Sequence, residues 1–169
     1  DGYFAIGSLL KNIFENVIAF ESSYEGRKTL IETAQINRVQ ENLKTYGNLD
    51  QKLLFKVINV KPKTSDYLIL CDIEGEEFEL FDNQTLQYLQ SINIIIEIHS
   101  LNNKLEKQIF EFKNRILFYF DIDVLKGNSM NLNNSIINNL NDINRSLVLS
   151  EGRSKIGEWW HLKPKKIKR

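Results

Sequence analysis

Apolar residues recur at helical spacing from the first turn of the chain: Tyr3, Phe4, Ala5 and Ile6, then Leu9 and Leu10, then Ile13 and Phe14. That period predicts a helix over 2–16 with one apolar face. The run Val17-Ile18-Ala19-Phe20-Glu21 is a short strand ending in an acid, and Ser22-Ser23 are good helix starters for a second amphipathic helix reaching about residue 37. Residues 42–47 fit a third short strand, and 53–60 fit either a strand or a helix. Past Lys61-Pro62-Lys63 the pattern predicts a buried strand over 67–72, then one or two helical turns around Phe78-Leu80-Phe81 and Leu86-Leu89. Asn93 to Ser100 is almost continuously apolar, as in strands covered on both faces. A helix over 101–114 follows, with Leu105, Ile109 and Phe112 inward, and then a strand over 116–125. The expected remainder is a polar loop over 126–141, a short helix over 143–150 and a last strand over 157–162 carrying Trp159 and Trp160, both read as core. Strands alternating with helices predict an α/β fold with a mostly parallel sheet, and no internal repeat is present.

Composition narrows the class. The 169 residues fit a single domain spanning 1–169, 42% hydrophobic with only two prolines, so the chain is globular. The 22 basic and 22 acidic residues cancel, which argues against nucleic-acid binding through bulk charge. Five of the basic residues follow His161, so the first 162 positions carry a net charge of about −5 and the basic end reads as a solvated tail. The single cysteine, Cys71, lies inside an apolar strand; it cannot form an internal disulfide and reads as core in a reducing, cytoplasmic setting. No apolar run approaches the roughly 20 residues that span a bilayer, and neither a signal peptide nor a membrane partner is expected.

The candidate chemistry begins where the strand over 67–72 ends. Asp72, Glu74, Glu76 and Glu77 surround Gly75 within six positions, and each carboxylate costs free energy if it is buried without a partner. They therefore belong at the open end of a strand, where open α/β sheets bind ligands. Glu21 ends another strand, in the position from which an acid accepts hydrogen bonds from ribose hydroxyls; that chemistry serves S-adenosylmethionine and NAD alike. Gly2, at the start of the first helix, lets backbone approach a ligand closely or is simply a helix-start glycine.

Several of these pieces, taken together, resemble the class I S-adenosylmethionine-dependent methyltransferases, and within them the FkbM-like and related uncharacterised bacterial groups. Asp1-Gly2-Tyr3-Phe4-Ala5-Ile6-Gly7 is similar to the back half of the cofactor loop. Ala19-Phe20-Glu21 is similar to the acidic end of the second strand, and Cys71-Asp72-Ile73-Glu74-Gly75-Glu76-Glu77 to Asp-(Ile/Val)-Glu-Gly-Ala-Glu. Ile96-Glu97-Ile98-His99 is similar to Val-Glu-(Leu/Val)-His, while Glu151-Gly152-Arg153 and Glu158-Trp159-Trp160 are similar to a terminal Glu-Arg-Arg and Glu-Trp-Leu pair. The resemblance covers nearly the whole chain. It implies a Rossmann-like sheet, mostly parallel with an antiparallel C-terminal strand, and helices on both faces. It also implies a first strand and leading glycines ahead of Asp1, which this sequence lacks, so the chain reads as N-terminally truncated. Glu76 stands where the family has alanine.

On that resemblance the cofactor is S-adenosylmethionine, held by Asp1, Gly2, Tyr3, Glu21 and Asp72, and the acceptor is a small molecule or glycan. Methyl transfer from a sulfonium is a direct displacement, so alignment of nucleophile, methyl and sulfur does most of the work. A base helps when the acceptor is a hydroxyl or amine, and Asp72 and His99 at strand ends are the candidates. Glu74, Gly75 and Glu97 shape the substrate side, and Glu77 faces a helix dipole or a cation. His99, Asp72, Glu74 and Glu97 could instead ligate Mg, Mn or Fe, with Glu97 and His99 at i and i+2 on one side of a strand. The expectation adopted is a site without metal, because a lone histidine at a strand end more often hydrogen-bonds a neighbour. A non-catalytic methyltransferase-like binding domain and an NAD-binding oxidoreductase half are the alternatives in function.

Overall fold

A computed structural model of the chain describes residues 2–58, 67–99, 105–125 and 158–165. Its contacts gather into two compact units, Asp1–Asn59 and Val60–Arg169.

In the first unit, helix α1 (Tyr3–Leu10) precedes strand β1 (Val17–Phe20), helix α2 (Tyr24–Ile36), a 3-10 turn (Gln40–Asn42), strand β2 (Leu43–Tyr46) and helix α3 (Gln51–Val57). β1 and β2 are parallel, with Val17 opposite Leu43 and Phe20 opposite Tyr46. Ile6 from α1 and Leu30 and Ala34 from α2 form the core, and Ala19 and Leu43 pack against it from the strands. α1 is shorter than its apolar period suggests. Asn12 adopts φ 53°, the Asn12 N–H donates to the Leu9 carbonyl and the Ile13 N–H to that of Ser8. This left-handed cap ends the helix, and asparagine tolerates it better than other residues with a Cβ. α2 ends in the same way: Arg38 sits at φ 57°, and the Val39 N–H donates to the Ala34 carbonyl. The ambiguous segment after residue 50 is helical, because the Asp50 carboxylate accepts the Leu53 N–H at 2.7 Å and caps α3.

The second unit holds strand β3 (Leu68–Cys71), helices α4 (Glu77–Leu80) and α5 (Asn83–Leu89), strand β4 (Asn93–Ile98), helix α6 (Leu105–Tyr119), and strands β5 (Phe120–Leu125) and β6 (Glu158–Pro164). The sheet order is β3-β4-β6-β5. β3 and β4 are parallel, and β6 is antiparallel to both β4 and β5. β3, β4 and β5 therefore run one way and β6 the other, so the α/β fold has the mostly parallel sheet with an antiparallel C-terminal strand expected from the sequence. Ile94, Ile96 and Ile98 of β4 are buried, as are Trp160 and Leu162 of β6. Trp160 stacks on Phe112 of α6 with ring centroids 6.2 Å apart and donates its indole N–H to Glu158.

The junction between α6 and β5 differs from the pattern reading. α6 runs to Tyr119, so Ile116 is a buried helical residue one turn after buried Phe112, and the following strand starts only at Phe120. Spacing of four residues is what a helix needs to put both on one face. β3 is also less buried than its composition suggests: Leu68 and Leu70 are 36% and 39% exposed, and only Cys71 is buried. The expected loop over 126–141, the helix over 143–150, Glu151, Gly152, Arg153, Asp1 and the end of the basic tail lie outside the described residues. No helix among the described residues is long and apolar enough to cross a membrane.

Candidate functional site

The acidic turn sits where expected, directly after β3. Glu74 has φ 53° and Gly75 φ 108°, so the chain reverses through two positive-φ residues before entering α4. A left-handed non-glycine residue costs on the order of 1 kcal/mol or more and persists only when its surroundings enforce it. Glu77 supplies part of that enforcement, its Oε2 accepting the Gly75 N–H at 2.8 Å. Its Oε1 accepts the N–H of His99, 22 residues away, at 3.1 Å. One buried carboxylate thus ties the turn after β3 to the residue that follows β4.

This tie gathers the acids around the His99 ring. The parallel register pairs Cys71 with Ile96, so the next positions, Asp72 and Glu97, fall at one level at the carboxyl ends of the two strands. His99 Nε2 lies 3.4 Å from Asp72 Oδ1, 3.4 Å from Glu74 Oε2 and 3.8 Å from Glu97 Oε2. Nδ1 lies 3.4 Å from Glu77 Oε1. Glu77, Glu97 and His99 are buried, while Asp72 and Glu74 open toward solvent. Cys71, next to this cluster, is buried, and desolvation, then the charges of Glu77 and Asp72, push its thiol far above the ordinary value. A thiol held protonated is inert, in keeping with its reading as core.

The candidates in the first unit have well-defined local roles. Glu21 follows β1, and its N–H donates to the Tyr46 carbonyl. Its side chain turns back to accept the Ser23 N–H at 2.8 Å, against Gly26, where any Cβ would stand 2.8 Å from the Glu21 carboxyl carbon. Arg27 donates to the carbonyls of Glu21 and Ser22 and fixes the same corner. Gly2 precedes α1 at φ 82°, and a Cβ there would meet Leu30 Cδ1 at 2.4 Å. Its left-handed backbone already calls for glycine, and the contact with the end of the Leu30 side chain adds to that. Tyr3 is 80% exposed, its ring edge-on to Phe4. The structure thus gathers Asp72, Glu74, Gly75, Glu97 and His99 in one unit, while Gly2, Tyr3 and Glu21 belong to the other.

No family model matches the chain, and no curated protein matches it. Among solved structures, a domain from Corynebacterium diphtheriae provisionally assigned as a precorrin-6Y C5,15-methyltransferase is similar, with a TM-score of 0.48 and 10% identity over 89% of this chain and 76% of that one. A likeness that distant carries no argument about this chain.

Two residues of the site carry more weight than the sequence suggested. Glu77, read as facing a dipole or a cation, is fully buried and accepts two backbone N–H groups. The signal was its spacing, since it precedes buried Phe81 by one helical turn and so shares its inward face. Arg115 of α6 donates to the carbonyls of Phe78 and Phe81 at 3.0 and 3.2 Å and holds the end of α4 in place. That contact spans more than thirty residues, beyond the reach of any local pattern.

Proposed function

We propose that this protein is a methyltransferase that takes its methyl group from S-adenosylmethionine and passes it to a small-molecule or glycan-like acceptor. One relationship carries the reading: the turn Asp72-Ile73-Glu74-Gly75 and the segment Glu97-Ile98-His99 meet at the carboxyl ends of adjacent parallel strands. Crevices at such strand ends are where open α/β sheets bind ligands. The residues that meet there are the same ones whose order resembles the class I methyltransferases.

In this reading the acceptor's oxygen or nitrogen attacks the methyl carbon as the carbon–sulfur bond breaks, and the electron pair of that bond stays on sulfur. The protein's work is alignment and exclusion of water. Asp72 and His99 face the acceptor, and the more open Asp72 carboxylate takes the proton of a hydroxyl or amine. Glu97 and the turn at Glu74 and Gly75 shape the acceptor's surroundings. Glu21, with Gly2 and Tyr3 of its unit, serves the cofactor, the carboxylate accepting from ribose hydroxyls.

Calorimetry of the protein with S-adenosylmethionine, S-adenosylhomocysteine and NAD tests the proposal. Binding of the first two with little or no binding of NAD is expected. Glu21→Ala should then weaken affinity by roughly 1.5–3 kcal/mol, the scale of a hydrogen bond to a charged group. Failure of both sulfur compounds to bind would overturn the proposal, and NAD binding alone would favour the oxidoreductase alternative.

A further inference from the structure

Within the acidic cluster the His99 ring is buried, 6% exposed, without a hydrogen bond to either nitrogen among the described residues. A buried polar group in that condition costs about 1–3 kcal/mol, so a buried imidazole aimed at carboxylates calls for something between them.

Carboxylates flank the ring on both sides. Nδ1 faces Glu77, whose oxygens are already held by the N–H groups of Gly75 and His99. A proton on Nδ1 is the arrangement that Glu77 favours, and it leaves the Nε2 lone pair directed at Asp72, Glu74 and Glu97. A lone pair facing three carboxylates is repulsive unless a positive centre lies between them. The spacing suits an ion: one donor atom each from Asp72, Glu97 and His99 all lie within 4.8 Å of one another. Two ligands on opposite sides of an ion with bonds of about 2.2 Å stand about 4.4 Å apart, so small side-chain turns would close the set.

We infer that Asp72, Glu97 and His99 together bind one first-row divalent cation, with Glu77 behind the imidazole as the residue that orients it. One imidazole and two carboxylates suit Mn²⁺, Fe²⁺ or Zn²⁺, whereas Ca²⁺ takes six to eight oxygens. Glu77 occupies the place of the outer carboxylate that commonly fixes the tautomer of a ligating histidine. Three protein ligands leave positions for water or for an oxygen-bearing ligand, and the Glu74 side of the cluster is open to solvent. The ion's binding stands on these residues alone. Its consequence for chemistry rests on the methyl-transfer reading: the ion would hold the acceptor's oxygen and lower its pKa, replacing Asp72 as the group that favours its ionised form.

The test uses the whole chain stripped with a chelator, without any methyl donor, so that its outcome is separate from that of the cofactor titration. Mn²⁺ is titrated in by following the resonance of the free ion, and Zn²⁺ and Ca²⁺ by calorimetry. The expected result is one Mn²⁺ or Zn²⁺ per chain in the micromolar range, with Ca²⁺ far weaker. Asp72→Asn and His99→Gln should each weaken Mn²⁺ binding by at least about tenfold, while Glu79→Gln, on an exposed position of α4, should leave it unchanged. If circular dichroism shows that His99→Gln does not fold, Asp72→Asn decides alone, since its side chain is partly solvent-exposed and nearly isosteric. A natively folded protein that binds neither Mn²⁺ nor Zn²⁺ at millimolar concentration overturns the inference. Equal binding by wild type and Asp72→Asn does so too, and Ca²⁺ binding as tightly as Mn²⁺ overturns the assigned class of ion.

Discussion

Glu77 and His99 are joined twice: Glu77 Oε1 accepts the His99 backbone N–H at 3.1 Å and stands 3.4 Å from the same residue's ring Nδ1. The other oxygen holds Gly75. Glu77→Ala would strand two N–H donors beside a buried ring and should destabilise the protein by about 2–4 kcal/mol. Glu77→Gln keeps one acceptor oxygen of nearly the same shape and should cost about half as much. Urea midpoints for the two variants check the ranking, and an alanine variant as stable as wild type would remove Glu77 from the framework of the site.

Cys71 gives stability a pH dependence of defined sign. Its thiol, ordinarily near 9.0, is raised by burial and then by Glu77 and Asp72. Above that ordinary value the unfolded chain has released the proton and the folded chain keeps it. The unfolded state then binds fewer protons, and stability falls as pH rises. Between about pH 8 and about pH 10, wild type should lose more stability than Cys71→Ala, as read from urea midpoints. Below the ordinary thiol range the two slopes should coincide.

Gly26 and Glu21 should behave as a coupled pair. An alanine at 26 gains helix propensity worth about 0.5–1 kcal/mol but displaces the Glu21 carboxylate that accepts the Ser23 N–H, a loss of similar size. Gly26→Ala alone should therefore be close to neutral. In a Glu21→Ala background it should stabilise by about 0.5–1 kcal/mol, because nothing remains to be displaced. Thermal unfolding of the four-member cycle measures the coupling, and additive effects would contradict the contact.

Two glycines of α1 and its cap should respond with opposite signs. Gly2→Ala forces φ 82° on a residue with a Cβ and drives that atom to 2.4 Å from Leu30 Cδ1, so a loss of about 1–3 kcal/mol is expected. Gly7→Ala meets nothing within 4 Å and should gain about 0.5–1 kcal/mol from helix propensity. Chemical denaturation of both variants is the check.

The alternation of strand and helix was legible because apolar periods of 3.6 and 2 register burial directly, and most of the described elements fall where the pattern put them. Boundaries were harder to read. α1 stops at Leu10 because Asn12 adopts a left-handed conformation, an event of one residue that leaves the apolar period around it unbroken. Ile116 fits a strand or a helix equally well until the burial of Phe112 one turn earlier assigns it to α6. At the site, the acids after β3 were evident from composition, since so many carboxylates beside an apolar run have no packing explanation. Their meeting with His99 depends on the parallel register of β3 and β4 and on a hydrogen bond across 22 residues, and no local pattern encodes either.

β6 lies between β4 and β5 in the sheet although it follows both in sequence. During synthesis, therefore, β4 and β5 leave the ribosome with facing edges unpaired, and neither can complete its hydrogen bonds until residues 158–164 arrive. Trp160 and Leu162 enter the core only then. The nascent chain holds open strand edges, which favour aggregation, for the time needed to translate the intervening segment, and a chain ending before Glu158 would lack the strand that closes this sheet.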